Sequence, residues 1–378
     1  MTKYFSSSLL LTLLALMGVG LVQVYSSSYV FAIEYYNDGL FFFKKQLIFS
    51  AIALIVMVAM VIVPFDKIKK YGWMSWFVAA GCVILTMIPG IGVKVGGAHR
   101  WIQLPLGFRI EPAEILKLSF VLLLATFISR YKGFQLKRMM SWSLCVFIPM
   151  ILVLKQPDFG TFALIMAVGF GLLFAFGLPW AAIVASLTVA VPAFYFIVMS
   201  VAYRRDRVLA FLDPWSEAHQ KGFQVIQSML SFHAGGLWGS GLGQGQGKLF
   251  FLPEAHTDFT LAVLGEEMGF MGLLVVMSLY GFLVFRCFQL SLKTEDRFQK
   301  TVCLGFALTF GLTVAINAGM SMGLLPTKGM ALPFLSYGGS SLIASCLMFG
   351  LMLNLEHEIL ESTRSQSKMA ELLEKSFS

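Results

Sequence analysis

One carboxylate stands out by its neighbours. Asp258 sits at the end of the run Leu252-Pro253-Glu254-Ala255-His256-Thr257-Asp258-Phe259, and a long apolar segment begins at once. An Asp at the centre of a spanning helix costs about 2.5–3.5 kcal/mol to insert, so an acid at the mouth of such a segment needs a use. A carboxylate partly screened from water, with its proton affinity raised, can take a proton from an attacking hydroxyl. His256 and Thr257 set an imidazole and a hydroxyl beside it, for a ligand held at the same level. The structural alternative is a helix cap, because Asp and Thr are favoured there and Thr257 alone could serve.

Other polar residues interrupt apolar sequence. Glu114 and Lys117 lie three apart in one apolar run, so they share a helical face and can pair, as cavity lining or as a structural pair. Arg100-Trp101 follows Gly96-Gly97-Ala98-His99; an Arg fork suits a diphosphate, and Trp can stack on a sugar or anchor at the interface. Lys155-Gln156-Pro157-Asp158 forms a short turn in which Lys155 and Asp158 could pair or face a ligand, and Lys328 in Pro326-Thr327-Lys328-Gly329 is similar. Arg100, Lys155 and Lys328 on one face would receive a pyrophosphate leaving group. Glu266-Glu267 could bind a divalent cation or hydrogen-bond to neighbouring helices. Ser336-Tyr337-Gly338-Gly339-Ser340-Ser341 offers hydroxyls to a sugar, though its small residues also permit close helix contact. The segment Gly241 to Lys248 is no phosphate loop, since Leu249 stands where Ser or Thr is required. Flexibility is its expected role, with backbone amides available to an anion.

Chemistry at that level needs a scaffold that crosses the bilayer. The 378-residue chain is 58% hydrophobic and only 13% charged, about half the charge of a soluble domain. Apolar runs of about 18 residues or more recur from end to end. The expected fold is all-α: a polytopic membrane domain over 1–355 with about ten spans, then a charged cytoplasmic tail over 356–378. The spans are placed at 8–25, 45–63, 72–89, 113–130, 141–155, 159–177, 180–202, 259–286, 299–324 and 336–355. The first is read as a retained helix, since only Lys3 precedes it and no clean cleavage site follows. Lys67, Lys69, Lys70, Arg130, Lys132, Lys137, Arg138, Arg286, Lys293, Arg297 and Lys300 fall on one side, which makes that side, and both termini, cytoplasmic. Two long loops then lie outside, 90–112 and, between spans seven and eight, 203–257. The second contains an amphipathic stretch, Gly222 to His233, expected to lie on the outer membrane surface. Five cysteines, dispersed through apolar runs, form neither a disulfide frame nor a metal site. The net charge of +8 suits anionic headgroups or phosphates; no nucleic-acid partner is expected.

The segments Gly96 to Ile102, Glu111 to Leu118, Lys155 to Thr161, Leu252 to Phe259, Gly265 to Gly269, Leu324 to Gly329 and Ser336 to Ser341, in this order, resemble the SEDS family of shape, elongation, division and sporulation proteins. Ala255 before His256, and the Pro326-Thr327-Lys328-Gly329 run, are more similar to its division branch than to its elongation branch. Departures are small, with His99, Glu111 and Ala113 at positions where the family commonly has other residues.

The resemblance implies a peptidoglycan glycosyltransferase that polymerises lipid II, the undecaprenyl-diphosphate disaccharide-pentapeptide, at the outer face of the cytoplasmic membrane during septal wall synthesis. It implies a class B penicillin-binding protein as crosslinking partner, with other divisome membrane proteins around it. Asp258 matches the family's essential aspartate, and Glu114 and Lys117 match its paired residues. The expected reaction is a single inverting displacement with Asp258 as base. Arg100, Trp101, Lys155, His256, Thr257, Lys328 and Ser336 join Glu114 and Lys117 as candidates for substrate binding, and Mg²⁺ or Mn²⁺ on the diphosphate is an open expectation. A lipid II flippase, an elongation-type polymerase and a scaffold are the alternatives.

Overall fold

The computed structural model describes residues 7–95, 98–131, 136–200, 205, 208, 209, 211–216 and 222–377. Each of the ten expected spans coincides with a helix: α1 (Ser7–Tyr36), α2 (Phe41–Ile62), α4 (Met74–Leu85), α5 (Pro112–Arg130), α6 (Leu136–Lys155), α7 (Phe159–Ala175), α8 (Trp180–Met199), α10 (Thr260–Lys293), α11 (Arg297–Ser321) and α12 (Gly339–Phe377). A short α3 (Phe65–Tyr71) and a loop helix α9 (Gly222–Gly235) are also present among the described residues. Among the described residues six helices are long and apolar enough to cross a membrane, while α4 and α7 are shorter. At 1.5 Å per residue, the 22 residues of α2 reach about 33 Å, enough for a hydrocarbon core of ~30 Å.

The helices are arranged around α5. Sixteen of its 19 residues are buried, because α4, α7, α11 and α12 pack on different sides of it. A helix enclosed on all sides can be apolar all round, and its only two charged residues before the last turn, Glu114 and Lys117, are then forced inward together. The α2 and α12 helices pack along each other, as do α10 and α11, and α1 lies against both α2 and α10. At one end Asn354 donates to Met60 O and Val63 O (2.9 and 2.6 Å), closing the last turn of α2.

The loop from 90 to 112 departs from a purely helical fold. It forms a small antiparallel sheet, β1 (Gly92–Val95), β2 (Ala98–Gln103) and β3 (Arg109–Ile110), in the order β1-β2-β3. Val93 pairs with Trp101 and Ile102 with Ile110, with a bulge between Val93 and Lys94. Trp101 and Ile102 of β2, facing Val93 of β1 and Ile110 of β3, are residue types that favour strands.

From Gly222 onward the second loop is packed down. Helix α9 buries Val225, Ile226, Ser228 and Ser231 against its neighbours, chiefly α10, and Ser228 Oγ donates to Ser321 O at 2.5 Å. Met229 and Leu230 stay exposed. The glycine-rich segment after it is held tightly, contrary to the expected flexibility. Side chains at Gly235 or Gly239 would overlap the backbone of Gly265–Glu267. Gly269, at φ 64°, breaks α10 there, and Phe270 and Met271 donate back to Gly236 O and Leu237 O. Glycine is required where two backbones approach this closely. The tail expected from 356 onward continues α12 without a break.

Candidate active site

Asp258 lies at the end of a turn wound around one carbonyl. Glu254, with φ 56° in the left-handed region, accepts at its O from the amides of Thr257, Asp258 and Phe259 at 3.1, 3.1 and 3.3 Å. A non-glycine residue in this region stores about 1–3 kcal/mol and persists only where surroundings impose it. The cap of α10 is Phe259, with no side-chain cap bond. The Thr257 hydroxyl does not turn to that helix; it donates to Glu254 Oε2 at 2.9 Å. The Asp258 carboxylate is half-buried. Its Oδ2 lies 3.4 Å from the point a Cβ on Gly329 would occupy, and Arg100 Nη1 lies 3.7 Å from the same point. Gly329 itself is exposed, so this point opens outward.

Behind it sits a compact set of charges. Arg100 Nε donates to Gln156 O at 3.2 Å and its Nη2 to Pro157 O at 2.6 Å. Lys117 and Glu114 pair at 2.7 Å, both buried. Asp158 is buried and caps α7, its Oδ1 accepting from Thr161 N at 3.2 Å. Burial alone would raise the Asp158 carboxyl, but Lys328, Arg100 and the Thr161 hydrogen bonds more than reverse this and hold it below 3.8. The Lys328 stem lies across Gly160, where any Cβ would overlap it. Burial pulls the Lys328 ammonium down to about 8, with Asp158 the main opposing influence. Glu111, at the entrance to α5, is pushed up to about 8 by burial and then by the charges of Glu114 and Asp158. Its backbone N–H donates to Ser340 Oγ at 2.8 Å.

Several candidates stand elsewhere. Lys155 is exposed at the end of α6, and Asp158 faces Lys328 and Arg100 in preference to it. Trp101 follows Arg100 on β2 and pairs with Val93; Arg100 is the extra residue of the bulge between the Val93 and Lys94 pairs, and Trp101 is half-buried. His256 is a buried aromatic plug, its ring 4.7 Å from Phe42 and 5.4 Å from Phe31, and burial lowers its basicity. Ser336 is buried in its own turn, Oγ accepting from Leu332 N at 3.0 Å. Glu266 and Glu267 diverge. Glu266 accepts from the amides of Gln246 (2.7 Å) and Gly247 (3.1 Å), so the glycine segment does serve an anion, the protein's own carboxylate. Glu267 Oε1 meets Lys248 Nζ at 2.7 Å and Ser26 Oγ at 2.6 Å.

No three His, Cys, Asp or Glu side chains converge on one point among the described residues. Glu114, Asp158 and Asp258 each have a lysine or arginine nearby. A divalent ion held by the substrate diphosphate and one or two carboxylates would need no such cluster.

Four groups take positioning roles that their local sequence does not reveal. Gln156 donates to Thr86 Oγ1 at 2.5 Å, fixing the turn that holds Arg100. Asn317, fully buried on α11, donates to Asp258 O at 3.2 Å and to Met330 O at 2.7 Å, tying the acid to the Gly329 loop. Glu111 and Ser340 join the ends of α5 and α12. A polar residue inside an apolar run was the only signal for Asn317, and it pointed to no partner.

A family model described as "Cell cycle protein", FTSW_RODA_SPOVE, matches residues 7–360. A protein of Trichlorobacter lovleyi named "Probable peptidoglycan glycosyltransferase FtsW" is 40% identical over 351 residues, 92% of each chain. One of the same name from Methylomonas methanica is 35% identical over 97% of this chain and 95% of its own. A chain of a peptidoglycan synthase complex, solved for how polymerization and crosslinking are structurally coordinated, superposes with a TM-score of 0.76 at 26% identity, over 94% and 98% of the two chains. The rod shape determining protein RodA of Thermus thermophilus gives 0.69 at 23% identity over 94% and 97%, a likeness of fold.

Proposed function

The chain belongs to the FtsW/RodA/SpoVE family of cell-cycle proteins, and from that premise we propose that it is a peptidoglycan glycosyltransferase of the division type, polymerising lipid II at the outer face of the cytoplasmic membrane. The observation that carries the reading is the Asp258 carboxylate: half-buried and set beside the exposed point at Gly329, in front of a buried cluster of opposed charges.

In the proposed step Asp258 takes the proton from the 4-hydroxyl of the terminal GlcNAc of an acceptor lipid II. The oxygen bonds to the anomeric carbon of the donor MurNAc as the bond from that carbon to the diphosphate oxygen breaks. The electron pair leaves with undecaprenyl diphosphate, and the α-linked donor becomes a β-1,4 link. One base suffices, because no sugar is held covalently. Lys328 would meet the charge developing on the diphosphate. Apolar clefts suit the lipid tails: one of about 420 Å³ lies between α9 and α10 beside Met322, another of about 180 Å³ between α5, α6 and α7. Confining both substrates to a plane removes entropy from the barrier. A single-pass class B penicillin-binding protein would receive the product, by analogy with the related synthase complex.

Purified wild-type protein and Asp258→Ala, each with labelled lipid II and with or without the crosslinking partner, test this. Polymer is expected from the wild type alone of the pair. Near wild-type chain growth by Asp258→Ala would refute the base assignment. One observation favours the flippase alternative: α10 is broken at Gly269, and broken helices suit transporters. Translocation of lipid II without polymer in the same assay would select it.

A further inference from the structure

Arg100 presents a planar fork of donors, and the side-on edge is already occupied by protein. Nε donates to Gln156 O at 3.2 Å and Nη2 to Pro157 O at 2.6 Å. The turn that bears these carbonyls is itself anchored, since the buried Gln156 amide donates to Thr86 Oγ1 at 2.5 Å. Two fixed corners determine where the third one points. That third nitrogen, Nη1, faces the same point beside Gly329 that Asp258 Oδ2 faces, at 3.7 and 3.4 Å. Asn317 fixes the backbone on the other side, holding Asp258 O and Met330 O together.

We infer that Arg100 is a positioning residue for Asp258, not a clamp for the leaving diphosphate. Pinned to the turn at 156–157, its guanidinium sets the direction of the carboxylate and favours its ionised form until the acceptor hydroxyl arrives. The inference rests on the reading of Asp258 as the base. An opposite charge within about 4–6 Å favours the charged form of an acid. A diphosphate clamp would need a bidentate edge open to the ligand; here backbone carbonyls cover the side-on edge, and the Nη1 corner of the remaining end-on edge is turned toward the Asp258 side. Gly329 fits the same arrangement: any side chain there would enter the space between the two groups. Lysine at position 100 would preserve the charge on a flexible stem and lose both anchors.

The experiment is steady-state polymerisation of lipid II by the full-length protein across pH 5.5–9, comparing wild type, Arg100→Lys, Gly329→Ala and Asp258→Ala. For Arg100→Lys the expected result is a KM for lipid II within about twofold of wild type. Its kcat should fall about tenfold at pH 6 and recover toward pH 9, the acid limb having moved upward. Gly329→Ala, at an exposed position, guards against misfolding of the arginine variant; it should lower kcat about tenfold with KM kept. A KM raised tenfold by Arg100→Lys with an unmoved pH profile would mean that Arg100 grips the diphosphate, and would overturn the inference. So would a fully active Gly329→Ala. Retained activity in Asp258→Ala is a separate outcome: it removes the base itself, and this inference with it.

Discussion

Glu111 is the residue whose protonation should be felt most widely. Its carboxyl is held at about 8 in the fold against an ordinary value of 4.5. Between those values the folded chain keeps a proton that the unfolded chain has lost, so this group's contribution to stability falls as pH rises through the window. Glu111→Gln removes that dependence. Melting in one detergent should then match wild type at pH 5 and lie above it at pH 9. A variant that melts lower at pH 9 would contradict the assignment. Asp158 works the other way: its pKa is depressed, so its contribution is present above 3.8 and lost as pH falls through the lower folded value. Asn317→Ala leaves two carbonyls without their donor. It should cost about 1–3 kcal/mol of stability, and turnover should drop with KM kept, as rate measurements on the folded variant would show.

At the scale of elements, the decisive feature is how the long loop is fastened. Lys248 lies ten residues before Asp258, in the helical turn Gly247–Phe251, and its buried ammonium joins Glu267 of α10 and Ser26 of α1 at 2.7 and 2.9 Å. Three separate parts of the sequence therefore meet at one ion pair. Removing one partner strands the other charge out of water, at about 3–5 kcal/mol. Lys248→Met should be destabilised by that amount in detergent unfolding, and adding Glu267→Met should restore most of it. If the double variant were as unstable as the sum of the singles, the pair would not be the fastening. The break at Gly269 belongs to the same design, since it lets the backbone of the glycine segment run against α10.

For the whole molecule, the proposed orientation makes a direct prediction. Cysteine at exposed Lys94 should react with an impermeant maleimide in intact spheroplasts, and cysteine at exposed Lys67 only after permeabilisation. The reverse pattern would invert the topology and put Asp258 on the wrong side for a lipid-borne glycan.

What could be read from sequence follows from periodicity and cost. Ten helices were legible because an apolar run of spanning length has one stable solution in hydrocarbon, with its backbone bonds satisfied internally. The pairing of Glu114 with Lys117 was legible as an option because three residues of separation fixes a shared helical face. Asp258 drew attention because a carboxylate beside a span is expensive. The partners of those residues were not legible. Arg100 meets the turn at 156–157 more than fifty positions away, Asn317 reaches back to Asp258, and Lys248 reaches to Ser26. Lys155 and Asp158 sit in one turn, yet Lys155 is exposed while Asp158 is buried among charges. Local pattern settles which segments are helices; which charges face one another is set by the docking of helices distant in sequence, and that is decided only when the chain is folded.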